Sequence, residues 1–153
     1  MHKLHYYTSI IFIVKIYSFN SENNTESVSI QMKTTIYNKQ ARFNYELLDQ
    51  YEAGIVLTGS EIKSIRAGRA QISQSHGIIR DNEIFILNIN IAVFKEANMQ
   101  NHDPIRTRKL LLKRSQINKI IRQKKSEKIT IVPTKLYIKN GFAKLQIFTA
   151  KGK

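Results

Sequence analysis

Asn140-Gly141, set between two runs of alternating apolar and polar residues, constrains this chain more than any other pair in it. A two-residue hairpin turn that matches strand twist needs positive φ at both central positions, which Asn tolerates and Gly adopts freely. Once the turn is fixed, so is the register. Lys139 must face Phe142, Ile138 faces Ala143, Tyr137 faces Lys144, Leu136 faces Leu145 and Lys135 faces Gln146. Period-two alternation then buries Leu136, Ile138, Ala143, Leu145 and Ile147, and leaves Lys135, Tyr137, Lys139, Phe142, Lys144 and Gln146 outside. Three lysines with two rings suit looped RNA, charge for phosphate and rings for unstacked bases. The same rings could instead cover the hairpin against a helix, because cross-strand aromatic pairs stabilise a sheet without any ligand.

The rest of the body reads as strands with a few helices. Residues 45–57 alternate imperfectly, and Gly54 marks an expected bulge or bend. Thr58-Gly59-Ser60-Glu61 fits a capping box, opening a helix over 59–67 that Gly68 stops. Ile62 and Ile65 of that helix face the core, with Lys63, Arg66 and Arg69 toward solvent. Residues 76–80 and 83–91 pair around Asp81-Asn82, two residues that accept a tight hairpin. Residues 97–103 read as an exposed polar loop ending at Pro104. A helix is expected over about 108–125, from the spacing of Leu110, Ile117, Ile120 and Ile121.

Charge bounds the partners. The 153 residues carry 25 Lys and Arg against 11 Asp and Glu, a net charge of +14, which favours a polyanionic partner, nucleic acid above membrane. Residues 106–128 alone hold ten basic side chains and one acid, Glu127. A solvated helix face is the ordinary explanation of such a run, but it leaves unexplained why so little acid balances a body already at +13. With 42% hydrophobic residues, one domain can bury one modest core, and the chain is expected to fold as a monomer. There is no Cys, and the four His are scattered, so neither a disulfide nor a metal site is expected, and no cofactor.

The charge begins near Asn38, since residues 1–37 carry only three Lys and two Glu. Residues 1–37 are therefore read as a leader, targeting or disordered segment, and 38–153 as the functional body. Ile10 to Val14 is a short apolar run interrupted by Lys15, compatible with a weak signal core, while Met32 offers an alternative start. Residues 18–31 are rich in Ser, Asn and Thr and read as unstructured; the Asn23-Asn24-Thr25 sequon there carries no weight. No run of 18 apolar residues exists to span a membrane as a helix.

Five motifs in order carry a resemblance to a known family. They are Asn38-Lys39-Gln40-Ala41-Arg42, Tyr51-Glu52-Ala53-Gly54-Ile55, the run from Gly59 to Gly68, the run from Asp103 to Leu112, and Ala150-Lys151-Gly152-Lys153. The chain resembles the SmpB family of SsrA-binding proteins. The resemblance implies a mainly β fold with helices, a six-stranded antiparallel barrel of oligonucleotide-binding (OB) type with about three short helices. It further implies binding to the tRNA-like domain of transfer-messenger RNA, with the ribosome as partner through that RNA, in the rescue of stalled ribosomes. Family residues for that binding fall on Glu52, Leu111 and Lys144. Glu52 would accept from base or sugar donors and orient basic side chains, Leu111 would pack on a base, and Lys144 would contact phosphate. Tyr137, Arg42, Arg66, Arg69, Arg106, Arg108 and Lys109 complete the expected RNA-binding set.

Phe43 stands where the family usually has His, which would turn a polar contact into a stacking or structural one. The chain stops at Lys153, where family members continue into a basic tail, so RNA binding is the firmer expectation and peptide tagging the weaker. A leader on a body rich in Ile, Asn and Lys fits a protein sent to a plastid-type, apicoplast-like organelle; without a leader, a bacterial-type cytoplasm is the expectation. A ribosomal protein or general RNA-binding protein is the near alternative. The distant one is a phosphodiesterase using His102 and Asp103, which loop neighbours can hardly support, since Asp103 is better placed to cap the turn at Pro104 and steer Arg106 or Arg108.

Overall fold

The computed structural model describes residues 34–93 and 102–153. The expected leader, up to residue 33, and residues 97–101 of the expected loop lie outside the described residues. In chain order the elements are β1 (Thr35–Tyr37), α1 (Ala41–Asn44), β2 (Tyr45–Ile55), α2 (Gly59–Arg66), β3 (Ala70–Gln71), β4 (His76–Arg80), β5 (Glu83–Leu87), β6 (Asn90–Ile91), β7 (Arg108–Leu111), α3 (Arg114–Ser126), β8 (Thr130–Lys139) and β9 (Phe142–Gly152). The large sheet runs β1-β8-β4-β5-β7-β2-β9, and β9 pairs back onto β8. Strands β8, β4, β5, β7, β2 and β9 therefore close into a ring, with β1 appended to the second half of β8. This is the mainly β, OB-like arrangement that the motifs imply. Closure gives each of these six strands a partner on both sides and leaves β1 as the edge strand of the large sheet.

The β8–β9 hairpin has the register that its turn dictates, from Lys139 opposite Phe142 to Lys135 opposite Gln146. Asn140 and Gly141 both have positive φ, 51° and 80°. Leu136, Leu145 and Ile147 are fully buried, joined inside the ring by Ala53, Ile84, Ile86 and Leu110. Each of these Leu and Ile side chains contributes about 1.5–3 kcal/mol by leaving water. Gly77 lies so close to Ile131 on β8 that an added Cβ would sit 2.7 Å from the Ile131 Cβ, so only glycine lets β4 and β8 meet.

Three expectations need correction. The helix expected over 108–125 begins only at Arg114, because Arg108–Leu111 is strand β7, burying Arg108 and Leu110 and turning Lys109 and Leu111 outward. Leu110 and Ile117 are a helical interval apart in sequence, but Leu110 packs from a strand. The helix starts where the Gln116 Oε1 accepts the Lys113 N–H at 3.0 Å. The strand expected over 83–91 breaks at Asn88, whose φ is 62°. That turn carries Ile89 and Ile91 into the core and gives Asn90–Ile91 to Ala70–Gln71 as a separate two-stranded sheet. Finally, Gly54 is not the bulge of β2; the register shift lies between Leu47 and Gln50. Gly54 instead admits β7, since an added Cβ would come within 3.2 Å of the Leu111 Cβ.

Candidate nucleic-acid interface

Gly54 is the meeting point of the site. It opposes Leu111 of β7 on one side and Lys144 of β9 on the other, and Lys144 in turn opposes Tyr137 of β8. Residues directly opposed across a sheet share a face, so Leu111, Gly54, Lys144 and Tyr137 form one row on the outer surface. Glu52, Gln146 and Lys135 form the next row. Leu111, Phe142 and Lys144 stand around a recess whose lining includes Gly54 and Ala143.

Glu52 and Tyr137 are tied diagonally across β9. The Tyr137 hydroxyl donates to Glu52 Oε2, and Lys139 Nζ lies 3.5 Å from Oε1. The Tyr137 hydrogen bond, the largest influence, holds the Glu52 carboxyl below its usual range; burial opposes it, and the charges of Lys139 and Lys144 and the Lys139 hydrogen bond add to the lowering. Partial burial, then the bond and charge of Glu52, push the Tyr137 phenol up to about 12. The face thus presents a fixed carboxylate acceptor, a phenol that stays neutral, an apolar platform and surrounding ammonium groups. Those are the contacts a loop of RNA requires.

Helix α2 organises a second, buried charge cluster. Thr58 caps the helix, and Glu61 completes the capping box by accepting the Thr58 N–H at 2.9 Å. Glu61 Oε1 also takes Arg106 Nη2 at 2.5 Å, and Oε2 takes Arg108 Nε at 2.5 Å. Arg108 is fully buried and donates onward to the carbonyls of Ile89 at 2.9 Å, Arg106 at 3.1 Å and Pro104 at 3.2 Å. Burial would raise the Glu61 carboxyl, but the hydrogen bonds of Arg106 and the Thr58 backbone, with the charge and bond of Arg108, bring it below its usual range.

This cluster corrects part of the expected RNA-binding set. Arg108 has no exposed surface with which to touch RNA, and Arg106 keeps 30% of its side chain exposed while bound to Glu61 and to the Val56 carbonyl at 3.1 Å. Asp103 does cap the turn, accepting the Ile105 N–H at 3.1 Å, but it is Glu61 that holds both arginines. The clue in the sequence is Glu61 itself, a capping-box acid in a helix whose Ile62 and Ile65 face the core.

The remaining residues are spread around the body. Lys109 projects outward from β7 opposite Phe85, near Leu111. Arg66 is half-buried at the end of α2 and Arg69 is exposed beyond it. Arg42 lies on the short helix α1, its carbonyl accepting Lys153 Nζ at 3.0 Å, beside Phe43, which is 79% exposed. His102 is a structural pin. Its Nε2 sits 2.8 Å from the Ile91 carbonyl, which can only accept, so Nε2 carries the proton and Nδ1 accepts from Ser60 Oγ at 2.9 Å. With both nitrogens engaged and Asp103 bonded elsewhere, the two do not form an acid-base pair.

Comparison with known proteins places this geometry. The family model described as SmpB protein matches residues 35–153. The chain belongs to the SmpB family. An SsrA-binding protein of Geobacillus thermodenitrificans is 50% identical over 121 residues, 79% of this chain and 78% of that protein. The SsrA-binding protein of Streptococcus mutans is 47% identical over 126 residues, 82% of this chain and 81% of the other. A solved chain described under "tmRNA-SmpB: a journey to the center of the bacterial ribosome" superposes with a TM-score of 0.66 at 37% identity, covering 79% of this chain and 85% of that one. All five motifs fall inside the matched span, as does Tyr37, one residue upstream of the first motif. No helix among the described residues is long and apolar enough to cross a membrane.

Proposed function

We propose that the outer face around Gly54 binds the tRNA-like domain of transfer-messenger RNA, and that the chain acts with that RNA on stalled ribosomes. The observation that carries this is the register, which brings Glu52, Leu111 and Lys144 from three strands to one face. Leu111 takes an exposed base, Lys144 meets a phosphate, and Glu52, aligned by Tyr137, accepts donors from base or sugar. The half-identical SsrA-binding relatives and the SmpB chain of the ribosome-related structure support the choice of RNA.

The test is a salt titration of the full chain against the tRNA-like domain, with ordinary tRNA as competitor. A preference of more than about tenfold at matched salt supports the reading, because comparisons at different salt are uninterpretable. Equal affinity for both would reduce the chain to a general RNA-binding protein. Peptide tagging is the finer part of the proposal, read by adding the chain and its RNA to a stalled translation reaction and looking for the appended tag. For residues 1–37, a short apolar run followed by a Ser-, Asn- and Thr-rich stretch, ahead of a body rich in Ile, Asn and Lys, supports a leader toward a plastid-type organelle. A fluorescent fusion of that segment remaining in the cytosol would count against it.

A further inference from the structure

The second row of the outer face does not end at Lys135. Lys135 opposes Tyr37, so the row runs Glu52, Gln146, Lys135, Tyr37 across β2, β9, β8 and the appended strand β1. Tyr37 is 56% exposed, although Lys135 Nζ lies over its ring, 5.8 Å from the centroid. Its neighbour Ile36 packs against the core, so β1 is anchored without help from Tyr37. Thr35, Tyr37, Lys135, Tyr137 and Gln146 bound a depression of about 220 Å³. The Gln146 side chain is held there by Thr134, 2.9 Å from its Oε1.

We propose that Tyr37 and Lys135 form a second seat for an unpaired RNA base, at the far end of the sheet face whose near end is Leu111. This deepens the RNA-binding reading and rests on it. The chemistry is that of a sheet platform for unstacked nucleotides: an exposed ring for the base, an ammonium beside it for the phosphate, and a fixed amide at the base edge. The strands run β7, β2, β9, β8, β1, so Leu111 and Tyr37 lie four spacings apart, roughly 20 Å along the surface. Lys144, Lys139 and Lys135 lie between, on the path a connecting backbone would take. A short single-stranded stretch would then be gripped by a base at each end.

The experiment measures binding of full-length wild-type, Tyr37→Ala, Tyr37→Phe and Lys135→Gln chains to two RNAs, the tRNA-like domain and an unstructured polyuridylate oligomer. Tyr37→Ala should weaken oligomer binding by about tenfold with an unchanged salt slope, the signature of lost stacking. Tyr37→Phe should bind like wild type, and Lys135→Gln should lower the salt slope by about one phosphate contact. Ultraviolet cross-linking of a 4-thiouridine oligomer to the wild-type chain should mark the peptide containing Tyr37. Wild-type affinity in Tyr37→Ala for both RNAs, or a cross-link that avoids Tyr37, would overturn the proposal. Failure of the wild type to prefer the tRNA-like domain over tRNA would sink the choice of RNA alone, since the oligomer tests the seat independently.

Discussion

Two acids in this chain gather basic or hydroxyl partners from distant strands, and their fates differ because one is buried and the other is not. Glu61 of α2 is fully buried with Arg108, and the partly exposed Arg106 closes the cluster on its solvent side. Glu52 stands on the outer face, holding Tyr137 and loosely Lys139. Away from water, a charge network must be complete to be tolerated at all, so Glu61 and its arginines hold the fold together. In water the same attraction is weak and exchangeable. Glu52 can keep its geometry and still trade partners with a ligand. The comparison predicts that changes at Glu61 act on stability and changes around Glu52 act on binding.

Glu61→Ala should give the largest effect, a loss of about 3–5 kcal/mol, since it leaves Arg108 charged and unpaired in the core. Denaturant unfolding measures it, and a loss near zero would break the comparison. The pH dependence has a definite sign. A carboxyl held below its ordinary value of about 4.5 stabilises the fold fully above that value, and the contribution disappears as pH falls through the lower folded value. Acid unfolding of the wild type should therefore include a component that Glu61→Gln lacks.

On the exposed face, Leu111→Ala should weaken RNA binding by about 1–3 kcal/mol, the range of a lost base contact, with little change in salt slope or stability. Lys144→Ala should weaken binding uniformly across RNA sequences and lower the slope by about one phosphate contact. An unaltered slope would remove Lys144 from the phosphate contacts. Thr58→Ala, which opens the capping box beside Glu61, should cost ~1 kcal/mol of stability while the folded protein keeps its RNA affinity.

What was legible in the sequence follows local physics. The β8–β9 register could be read because Asn140-Gly141 decides it within two residues, and α2 because its cap, its Glu and its stopping glycine, with φ of 73°, are contiguous. Strand β7 could not, because Arg108–Leu111 is extended only through partners on β2 and β5, far away in sequence. The burial of Arg108 escapes the sequence for the same reason. In a chain of charge +14 an arginine reads as surface, and only the fold brings Glu61 to it from 47 residues earlier. Glu52, Leu111 and Lys144 are implied by family likeness, and the two adjacent rows that place them on one face with Tyr37 need four strand pairings, which no local pattern encodes.

The smallest effect is the sharpest probe of the exposed acid. Tyr137 should titrate at about 12 rather than at the ordinary phenol value of about 10, followed by the ring carbon resonance of that one tyrosine. Burial is the leading cause and Glu52 the next, so Glu52→Gln should bring the midpoint down without returning it to the ordinary value. The hydroxyl would still have an oxygen to donate to, but no charge opposing its ionisation. RNA bound at this face competes for the same carboxylate, so adding the tRNA-like domain should move the Tyr137 resonance in the wild type more than in Glu52→Gln. If the midpoint is the same in both proteins, Glu52 does not hold Tyr137 in solution, and the contrast with Glu61 becomes one between a built cluster and an unconstrained surface acid.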